Sequence, residues 1–491
     1  MSLRQQAVSG VFWSAIQNWG ANLVGVAIYL VLAYLLDASA FGLLAMAMAV
    51  VAILEVLLRQ GLGQAIVQRE ELDTTYLNTA FWTCLLASAL LTGFAVLAAP
   101  LVASLVDEPR VAPVLRWLSL SFVLGGIGHT HQAILQRRFA FKSLAIRSIV
   151  AVVAGGVVGI VMALSGYGVW SLVGQNLTMN AVGSVILWFA SDWRPGLGVS
   201  LRGCKELFAF GGNVMGIEGL IVVNRRVVDL LIGSFLGSEL LGYFNLAQLL
   251  IMTIVNMLTQ TLSAVALPTF SRLQHDLTQM RNAFYTTVQV SCMVGFPAFV
   301  GVAVVAPELV VEVLGDKWAQ SVPLIRILAL MGIMYAAFSF NRVLIVAMGK
   351  PSWFLKLTIA NVVMNVLAVV VAARWGIVAV AWAYALQGYV FVPFALWMVR
   401  KLAESEPVTV LRQCITPLIA SCVMAAGVIA VRGALGGWLD SRVLLALCVL
   451  LGALVYVGAI LLVAPALLRK SRELIRLAFV TSGGEVGTEP E

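Results

Sequence analysis

Long apolar runs recur along the whole chain and are separated by short polar stretches. Most of these runs reach the roughly 18 to 20 residues that an α-helix needs to cross a bilayer. The pattern therefore predicts fourteen transmembrane helices, with expected spans 11–36, 40–66, 78–104, 111–135, 143–165, 168–190, 208–235, 240–268, 284–311, 319–347, 352–373, 376–399, 411–432 and 442–467.

The apolar runs are continuous, whereas the strands of a membrane β-barrel alternate apolar and polar residues with a period of two. Composition agrees with helices in a membrane: 61% of the 491 residues are hydrophobic and 11% are charged. A soluble domain carries roughly 25% charged residues. The sequence therefore predicts an all-α integral membrane protein. Because its loops are short, we expect no domain that holds an active site, and we predict that the protein is not an enzyme.

The cysteines and histidines form no metal-binding pattern. The six cysteines lie mostly inside apolar runs and include no CxxC pair, so burial as small apolar side chains explains them. His129 and His131 are two residues apart, and on a helix their side chains diverge by about 200°. We therefore expect no metal and no resident cofactor.

Basic residues predict the orientation in the membrane. With the N-terminus in the cytoplasm, most Lys and Arg residues fall in cytoplasmic loops, which is the positive-inside pattern, and an even number of helices also places the C-terminus there. Topology thus accounts for most of the net charge of +8 without a nucleic acid partner. Ala38-Ser39-Ala40 resembles a signal cleavage site, but the preceding apolar run is too long for a signal peptide, so we expect the first helix to be retained. The polar tail 481–491 is expected to be disordered.

Two weak echoes indicate an internal duplication. LDASAFGLLAMA (36–47) resembles LGSELLGYFNLA (236–247) at an offset of 200, and GYGVWSLV (166–173) resembles RWGIVAVA (374–381) at an offset of 208. Many transporters consist of duplicated halves. We therefore predict a six-helix lobe over 1–200, a related lobe over 201–400, and two additional helices over 401–480. The expected cavity lies between the lobes, lined by their first two helices.

Four ionisable residues lie inside the helix predicted over 208–235: Glu218, Arg225, Arg226 and Asp229. At about 100° per residue, Arg225 falls on one stripe between Glu218 and Asp229, while Arg226 lies to the side. Ionisable residues inside a membrane mark functional sites by default. Mutual neutralisation is the simpler interpretation; the functional one is a cationic cavity whose acids hold the arginines and also titrate. The stripe makes Arg225 the better candidate for an internal ion pair and Arg226 the better candidate for a ligand.

Other predicted helices contribute polar residues to the same expected cavity: Asn18, Asn22, Glu55, Arg59 and Arg342. Glu55 and Arg59 are four residues apart, so they could simply pair with each other. We predict that Arg59, Arg225, Arg226, Arg342, Asn18 and Asn22 bind substrate. Glu55, Glu218 and Asp229 are the candidates for ion coupling or for pairing with the arginines, with H⁺ and Na⁺ both open as coupling ions.

Arg137, Arg138 and Lys142 follow the helix predicted over 111–135. Positive-inside anchoring explains them, and a rim that collects anionic headgroups is the functional alternative. Guanidinium groups bind phosphate through paired hydrogen bonds. Arginines in a cavity that opens to the cytoplasm therefore suit a diphosphate headgroup, and a wide polar cavity suits a bulky hydrophilic cargo.

Six segments together carry a resemblance to a known family: VSGVFWSAIQNWG, FGLLAMAMAVVAILEVLLRQGLGQAIVQREEL (41–72), AILQRRFAFK (133–142), RRVVDLLIGSFLGSELLGYFNLA (225–247), LPTFSRLQHDLTQMRNAFY (267–285) and LGDKWAQSVPLIRIL (314–328). They resemble the polysaccharide transporter family, in particular the Wzx-like flippases of colanic-acid-exporter type within the multidrug/oligosaccharidyl-lipid/polysaccharide exporter superfamily. The Arg226-x-x-Asp229 spacing looks like the pattern of the family. Related drug exporters commonly carry an acidic residue in the first helix, and this helix has none.

The resemblance implies a flippase of the bacterial inner membrane. It implies movement of undecaprenyl-diphosphate-linked oligosaccharide repeat units to the outer leaflet, for exopolysaccharide, capsule or lipopolysaccharide synthesis. Implied partners are membrane lipids, a polysaccharide polymerase and other assembly proteins. We predict alternating access around a cationic cavity. An ion-coupled drug or small-solute antiporter on the same fold, a membrane polymerase or ligase, and a structural scaffold are the alternatives.

Overall fold

The computed structural model describes residues 3–59, 66, 73–200, 219–220, 222–435, 438 and 440–463, without the side chains of residues 3–12, 14–18, 57–59 and 351. This described part is helical and contains no β-strand, which confirms the predicted all-α class. Its helices are α1 (Leu3–Leu35), α2 (Ala38–Arg59), α3 (Thr74–Leu105), α4 (Val111–Leu118), α5 (Leu120–Arg137), α6 (Phe141–Leu164), α7 (Val169–Ala190), α8 (222–236), α9 (Ser238–Arg272), α10 (Leu277–Leu314), α11 (Ser321–Ala347), α12 (Pro351–Ala372), α13 (Ile377–Ala403), α14 (Pro407–Leu435) and α15 (Ser441–Val463). Asp316–Trp318 and Ala373–Trp375 are 3₁₀ turns.

The predicted transmembrane spans agree with these helices over the residues that the structure describes, while parts of the predicted spans 40–66, 208–235 and 442–467 lie outside those residues. In the described residues, 11 helical stretches are long and apolar enough to cross a membrane, and α1 contributes a shorter one, Trp19–Leu35. One span, Val111–Arg137, comprises both α4 and α5. The break between them is at Ser119, whose carbonyl oxygen accepts a 3.0 Å hydrogen bond from the Thr92 hydroxyl of α3. The N-in, C-in orientation stays a prediction.

The hairpin between α9 and α10 is longer than its apolar pattern predicts, since α9 continues to Arg272 and α10 begins at Leu277. Asp276 caps α10: its carboxylate accepts the backbone N–H groups of Thr278 and Gln279 at 3.1 and 2.9 Å. The Gln279 side chain donates back to Asp276 at 2.9 Å. These hydrogen bonds, those of Gln279 foremost, lower the pKa of Asp276. The apolar run shows where a helix leaves the bilayer, whereas the capping residue shows at which residue the helix itself begins.

The chain forms two compact units. The first contains Met1–Leu246, Val313–Ser321 and Thr358–Gln387, and the second contains Ala247–Glu312, Val322–Leu357 and Gly388–Glu491. In the first unit, α6 packs extensively against α1 and α7, with the glycines of its GxxxG motif, Gly155 and Gly159, against α7. In the second unit, α14 packs against α15. The division into lobes 1–200 and 201–400 with additional helices over 401–480 stays a prediction, and the tail 481–491 lies outside the described residues.

Both sequence echoes coincide with equivalent helix starts. At the offset of 200, α2 begins at Ala38 and α9 begins at Ser238. At the offset of 208, Gly168 precedes α7 and Gly376 precedes α13, with positive φ values of 56° and 89°. Glycine adopts this backbone conformation without the steric cost that a Cβ would add. Local structure thus repeats where the sequence does.

Two glycines of the first repeated segment, Gly42 and Gly242, lie at a close contact between α2 and α9 within the first unit. A Cβ atom on Gly42 would overlap the backbone carbonyl of Ser238, and a Cβ on Gly242 would overlap that of Ala38. The two contacts are related by the same offset of 200, so α2 and α9 cross with each helix placing its glycine against the start of the other. We call the set Ala38, Gly42, Ser238 and Gly242 the outer crossing, because the predicted topology places it at the extracytoplasmic end.

The turn Asp316–Trp318 fastens the end of α1 close to this crossing, again within the first unit. The Lys317 ammonium donates to the carbonyl oxygens of Tyr34 and Leu36, both at 2.8 Å. The indole N–H of Trp318 donates to the Ala33 carbonyl at 2.8 Å, and the side chain is fully buried. Its ring lies edge-on to Phe41 of α2 and Tyr243 of α9. Two of the last carbonyls of α1, which have no partners within the helix, and that of the following Leu36 are thereby satisfied.

Candidate functional site

A set of polar residues on α8 forms the candidate site in the first unit. Asp229 is completely buried, about 10 Å along the helix from its end at residue 236. Arg226 Nη1 lies 3.3 Å from Asp229 Oδ2, and the Arg226 side chain is 29% exposed. Arg225 is exposed. Burial of Asp229 without a cation would be costly in a membrane, so the ion pair with Arg226 stabilises the carboxylate where it lies.

Helices α12 and α13 add amides to this polar set. The Asn365 amide on α12 donates to the Asn224 side chain on α8 at 3.0 Å. One turn away on α12, Asn361 donates to Gln387 on α13 at 3.4 Å. The carbonyl oxygen of Asn365 and the Oδ1 atom of Asp229 are buried without a hydrogen-bond partner among the described residues. Such atoms are uncommon, and each one is a potential acceptor for a proton, a cation or a ligand donor.

The pairing within α8 is the reverse of the sequence prediction. Arg226, three residues before Asp229, makes the ion pair, whereas Arg225 is exposed. Both spacings allow contact on a helix. The buried position of Asp229 selects the partly buried arginine, because an exposed one would remain better solvated. Arg225 is therefore the better candidate for contact with a ligand. Any pairing with Glu218 lies outside the described residues.

The other predicted site residues are distributed over both units. In the second unit, the guanidinium group of Arg342 is exposed and lies over the Phe354 ring, 5.3 Å from its centroid. In the first unit, Asn22 is exposed and Glu55 is half-buried. The side chains of Asn18 and Arg59 lie outside the described part. Their role in substrate binding stays a prediction.

The predicted basic rim has partners of its own in the first unit. Arg137 donates to the Ile66 carbonyl at 3.3 Å, Arg138 pairs with Asp192 at 3.2 Å, and Lys142 lies over the Trp13 ring at 5.7 Å. These contacts favour the anchoring interpretation for Arg137 and Arg138. The contact of Lys142 is of a different kind, because an aromatic ring attracts a cation without adding a negative charge.

Sequence reasoning missed the amides of α12 and α13 and also two ion pairs of the second unit. Arg432 contacts Glu308 at 2.7 Å, and Arg442 contacts Glu312 at 3.8 Å. Their signal was available, since Glu308 and Glu312 are four residues apart in an apolar run and share one helix face. The amides gave a weaker signal, because single Asn and Gln residues recur in many of the runs. No cluster of three or more His, Cys, Asp or Glu suited to a metal occurs in the described residues.

The chain is similar to known proteins along most of its length. Residues 31–323, more than half of the chain, match the family model described as polysaccharide biosynthesis protein. The succinoglycan biosynthesis transport protein ExoT of Rhizobium meliloti (strain 1021) is 27% identical, with 95% of each chain covered. The lipopolysaccharide biosynthesis protein WzxC of Escherichia coli (strain K12) is 26% identical, with 76% of each chain covered.

A solved structure shows the same fold. The lipid II flippase MurJ in an inward closed conformation matches with a TM-score of 0.76 and 13% identity, over 93% of this chain and 100% of the other. Together with the apolar spans, the relatives identify a multi-pass protein of the bacterial inner membrane. The resemblance to Wzx-like proteins that the sequence motifs carry is confirmed, and the chain belongs to the family of polysaccharide biosynthesis proteins.

Proposed function

We propose that the protein is a flippase for undecaprenyl-diphosphate-linked oligosaccharide repeat units and that it works by alternating access, as a transporter and not an enzyme. The observation that carries the proposal is Arg225, an exposed cation on a membrane helix next to the ion pair between Arg226 and the buried Asp229. An exposed guanidinium in this position binds a diphosphate by paired hydrogen bonds. The names of ExoT and MurJ, a transport protein and a flippase, support the same class.

Each residue of the α8 set has a distinct role in this proposal. Arg225 contacts the diphosphate. Arg226 is held by Asp229 and adds positive potential without leaving its partner. Arg342 in the second unit is a further exposed cation and meets anionic headgroups. Arg59, Asn18 and Asn22 are proposed contacts to the diphosphate or the sugars.

The test uses cells that lack the chromosomal gene and carry a variant copy. We expect Arg225→Gln to reach the membrane at the normal level and to melt at the normal temperature, yet to accumulate lipid-linked repeat units in the cytoplasmic leaflet. Arg225→Lys is the matched control, because it keeps the positive charge and loses only the paired hydrogen bonds of the planar guanidinium group. It should retain part of the activity. Normal export by Arg225→Gln would contradict the proposal. Efflux of a fluorescent cationic drug by the wild type, without repeat-unit export, would favour the antiporter.

We also propose that Asp229 carries a coupling ion, H⁺ or Na⁺. The support is its unpartnered Oδ1 atom, with the buried and equally unpartnered carbonyl oxygen of Asn365 on the neighbouring α12. In proteoliposomes with a lipid-linked oligosaccharide, an imposed pH or Na⁺ gradient should accelerate wild-type transport. Asp229→Asn should transport at one rate with and without the gradient. A wild type that ignores both gradients would rule out coupling and leave the flippase proposal intact.

A further inference from the structure

Two tryptophans and a lysine form a platform at one end of the second unit. Trp353 in the first turn of α12 stacks on Trp397 of α13, with ring centroids 6.2 Å apart and planes 14° apart. The Lys401 ammonium lies over both rings, 5.4 and 5.5 Å from their centroids. We call Trp353, Trp397 and Lys401 the tryptophan platform. The predicted topology places it at the cytoplasmic surface, at the depth where membrane proteins concentrate tryptophan.

Among the residues that the structure describes, the partners of Lys401 are rings and not carboxylates, so no described acid offsets its charge. Arg138, by comparison, is neutralised by Asp192 at 3.2 Å. A ring attracts a cation through its quadrupole and adds no negative charge. Two ring faces thus fix the position of the exposed Lys401 ammonium without adding a negative charge. A fixed, uncompensated cation is suited to bind an anion.

The face of α13 that ends at Lys401 identifies the kind of anion. Val390, Phe394 and Trp397 are exposed by 47%, 55% and 54%, and they lie on one face with Lys401 at spacings of four, three and four residues. On a membrane helix such an apolar stripe contacts acyl chains. The stripe therefore accommodates an acyl chain along its length, with a charged headgroup at the lysine. A soluble phosphate would leave the stripe unused.

Neighbouring residues strengthen the positive potential. Arg342 lies over Phe354, the residue after Trp353, and is exposed. Lys350 and Arg400 are exposed beside the same two helix ends. A cluster of basic residues at the cytoplasmic surface attracts anionic lipids, by about 1 kcal/mol for each Lys or Arg.

We propose that the tryptophan platform is a binding site for an anionic phospholipid of the cytoplasmic leaflet. Its phosphate contacts Lys401, and an acyl chain follows the stripe Val390, Phe394 and Trp397. The site goes beyond the proposed transport function, since it concerns a resident membrane lipid and not the cargo.

The experiment measures lipid binding to the full-length protein in detergent. Native mass spectrometry counts the molecules of phosphatidylglycerol that the protein retains, with phosphatidylcholine as the neutral comparison. We expect Lys401→Gln to bind phosphatidylglycerol about fivefold more weakly, the effect of one surface cation. Lys401→Arg should bind normally. Arg412→Gln is the matched control: it removes an exposed basic residue of α14 on the same predicted side, outside the platform, and should change binding by less than about twofold.

Three results would overturn the proposal. One is equal retention of phosphatidylglycerol and phosphatidylcholine by the wild type. Another is equal loss in Lys401→Gln and Arg412→Gln, which would show only a general attraction to positive charge. The third is displacement of phosphatidylglycerol by equimolar undecaprenyl diphosphate from the wild type but not from Lys401→Gln, which would assign the site to the cargo. If Lys401→Gln fails to fold, Trp397→Leu, which keeps the stripe apolar but removes a ring, gives the same readout.

Discussion

The outer crossing and the polar set of α8 lie in the same unit, yet they are packed in opposite ways. At the crossing, Gly42 and Gly242 bring two helix backbones into direct contact, and Lys317 with Trp318 satisfies two of the last carbonyls of α1. At the polar set, Asp229 and Asn365 are buried and each has an oxygen without a partner among the described residues. Close packing with satisfied polar groups gives a rigid contact, whereas unsatisfied buried groups invite an ion or a ligand. The crossing is therefore a close-packed contact of the first unit, and the polar set is the part of that unit whose buried acceptors are open to an ion or a ligand.

The sharpest test of this difference is Asp229→Ala. It leaves Arg226 without its carboxylate in a largely buried place, and we expect a loss of about 3 kcal/mol in the free energy of unfolding. Arg226→Met combined with Asp229→Leu should recover most of that stability, since no charge then stays unpaired, but it should not restore transport. Thermal melting in detergent measures the stability of the single and the double variant. Equal instability of the single and double variants would mean that the pair is a packing element only.

The next largest effect is expected from Gly42→Ala. The added Cβ overlaps the Ser238 carbonyl, so α2 and α9 must separate, at a cost of about 2 kcal/mol. Gly93→Ala is the control, because Gly93 lies within α3 with nothing within 4 Å of an added Cβ. That change should be neutral or stabilise by roughly 0.5 to 1 kcal/mol, as alanine favours a helix over glycine. Equal shifts of the melting temperature in Gly42→Ala and Gly93→Ala would contradict close packing of the two helices at the crossing.

Lys317→Met should have a smaller effect. The variant keeps the length of the side chain but loses two hydrogen bonds from a charged donor to Tyr34 and Leu36. We expect a loss of about 1 kcal/mol in stability. A cysteine introduced in place of Phe41, next to Gly42, should also react faster with a membrane-impermeant maleimide. Unchanged labelling at position 41 would show that the turn Asp316–Trp318 holds α1 without stabilising the outer crossing.

The smallest effect concerns pH near the crossing. The hydrogen bonds from Arg110, at 2.8 and 2.9 Å, lower the pKa of Glu108, which also accepts a 3.4 Å hydrogen bond from Ser238. Because the pKa is lowered on folding, Glu108 stabilises the protein above its ordinary pKa of about 4.3, and this contribution is lost as the pH falls through the lowered value. We expect less than about 1 kcal/mol, since Arg110 is exposed. Between pH 7 and pH 3, Glu108→Gln should lose less stability than the wild type; parallel losses would contradict this.

Much of the fold could be predicted because the membrane simplifies the problem. A bilayer requires about 20 apolar residues in each spanning helix, and that length is directly visible in the sequence. The hairpin around Asp276 was missed in part, because its helices continue into water, where capping and not hydropathy sets their ends. The echo of Gly42 in Gly242 was visible, but its meaning as a contact was not, since one sequence shows equivalence and not proximity.

The candidate site was predictable only within one helix. Helical spacing restricted the partner of Asp229 to Arg225 or Arg226, and the choice then depended on burial, which neighbouring helices decide. The hydrogen bond from Asn365 to Asn224 joins residues 141 positions apart. Periodicity along α8 carries no information about α12, so this contact could not be derived from the sequence.

The hairpin that Asp276 caps has a practical consequence. Helices α9 and α10 comprise 35 and 38 residues, which corresponds to roughly 52 and 57 Å, while the hydrocarbon core is about 30 Å thick. The two helices are therefore longer than the hydrocarbon core, and the turn over 273–276 joins them beyond the ends of their apolar runs. It is thus a natural place to attach an antibody epitope or a fluorophore that reports motion of the buried helix ends.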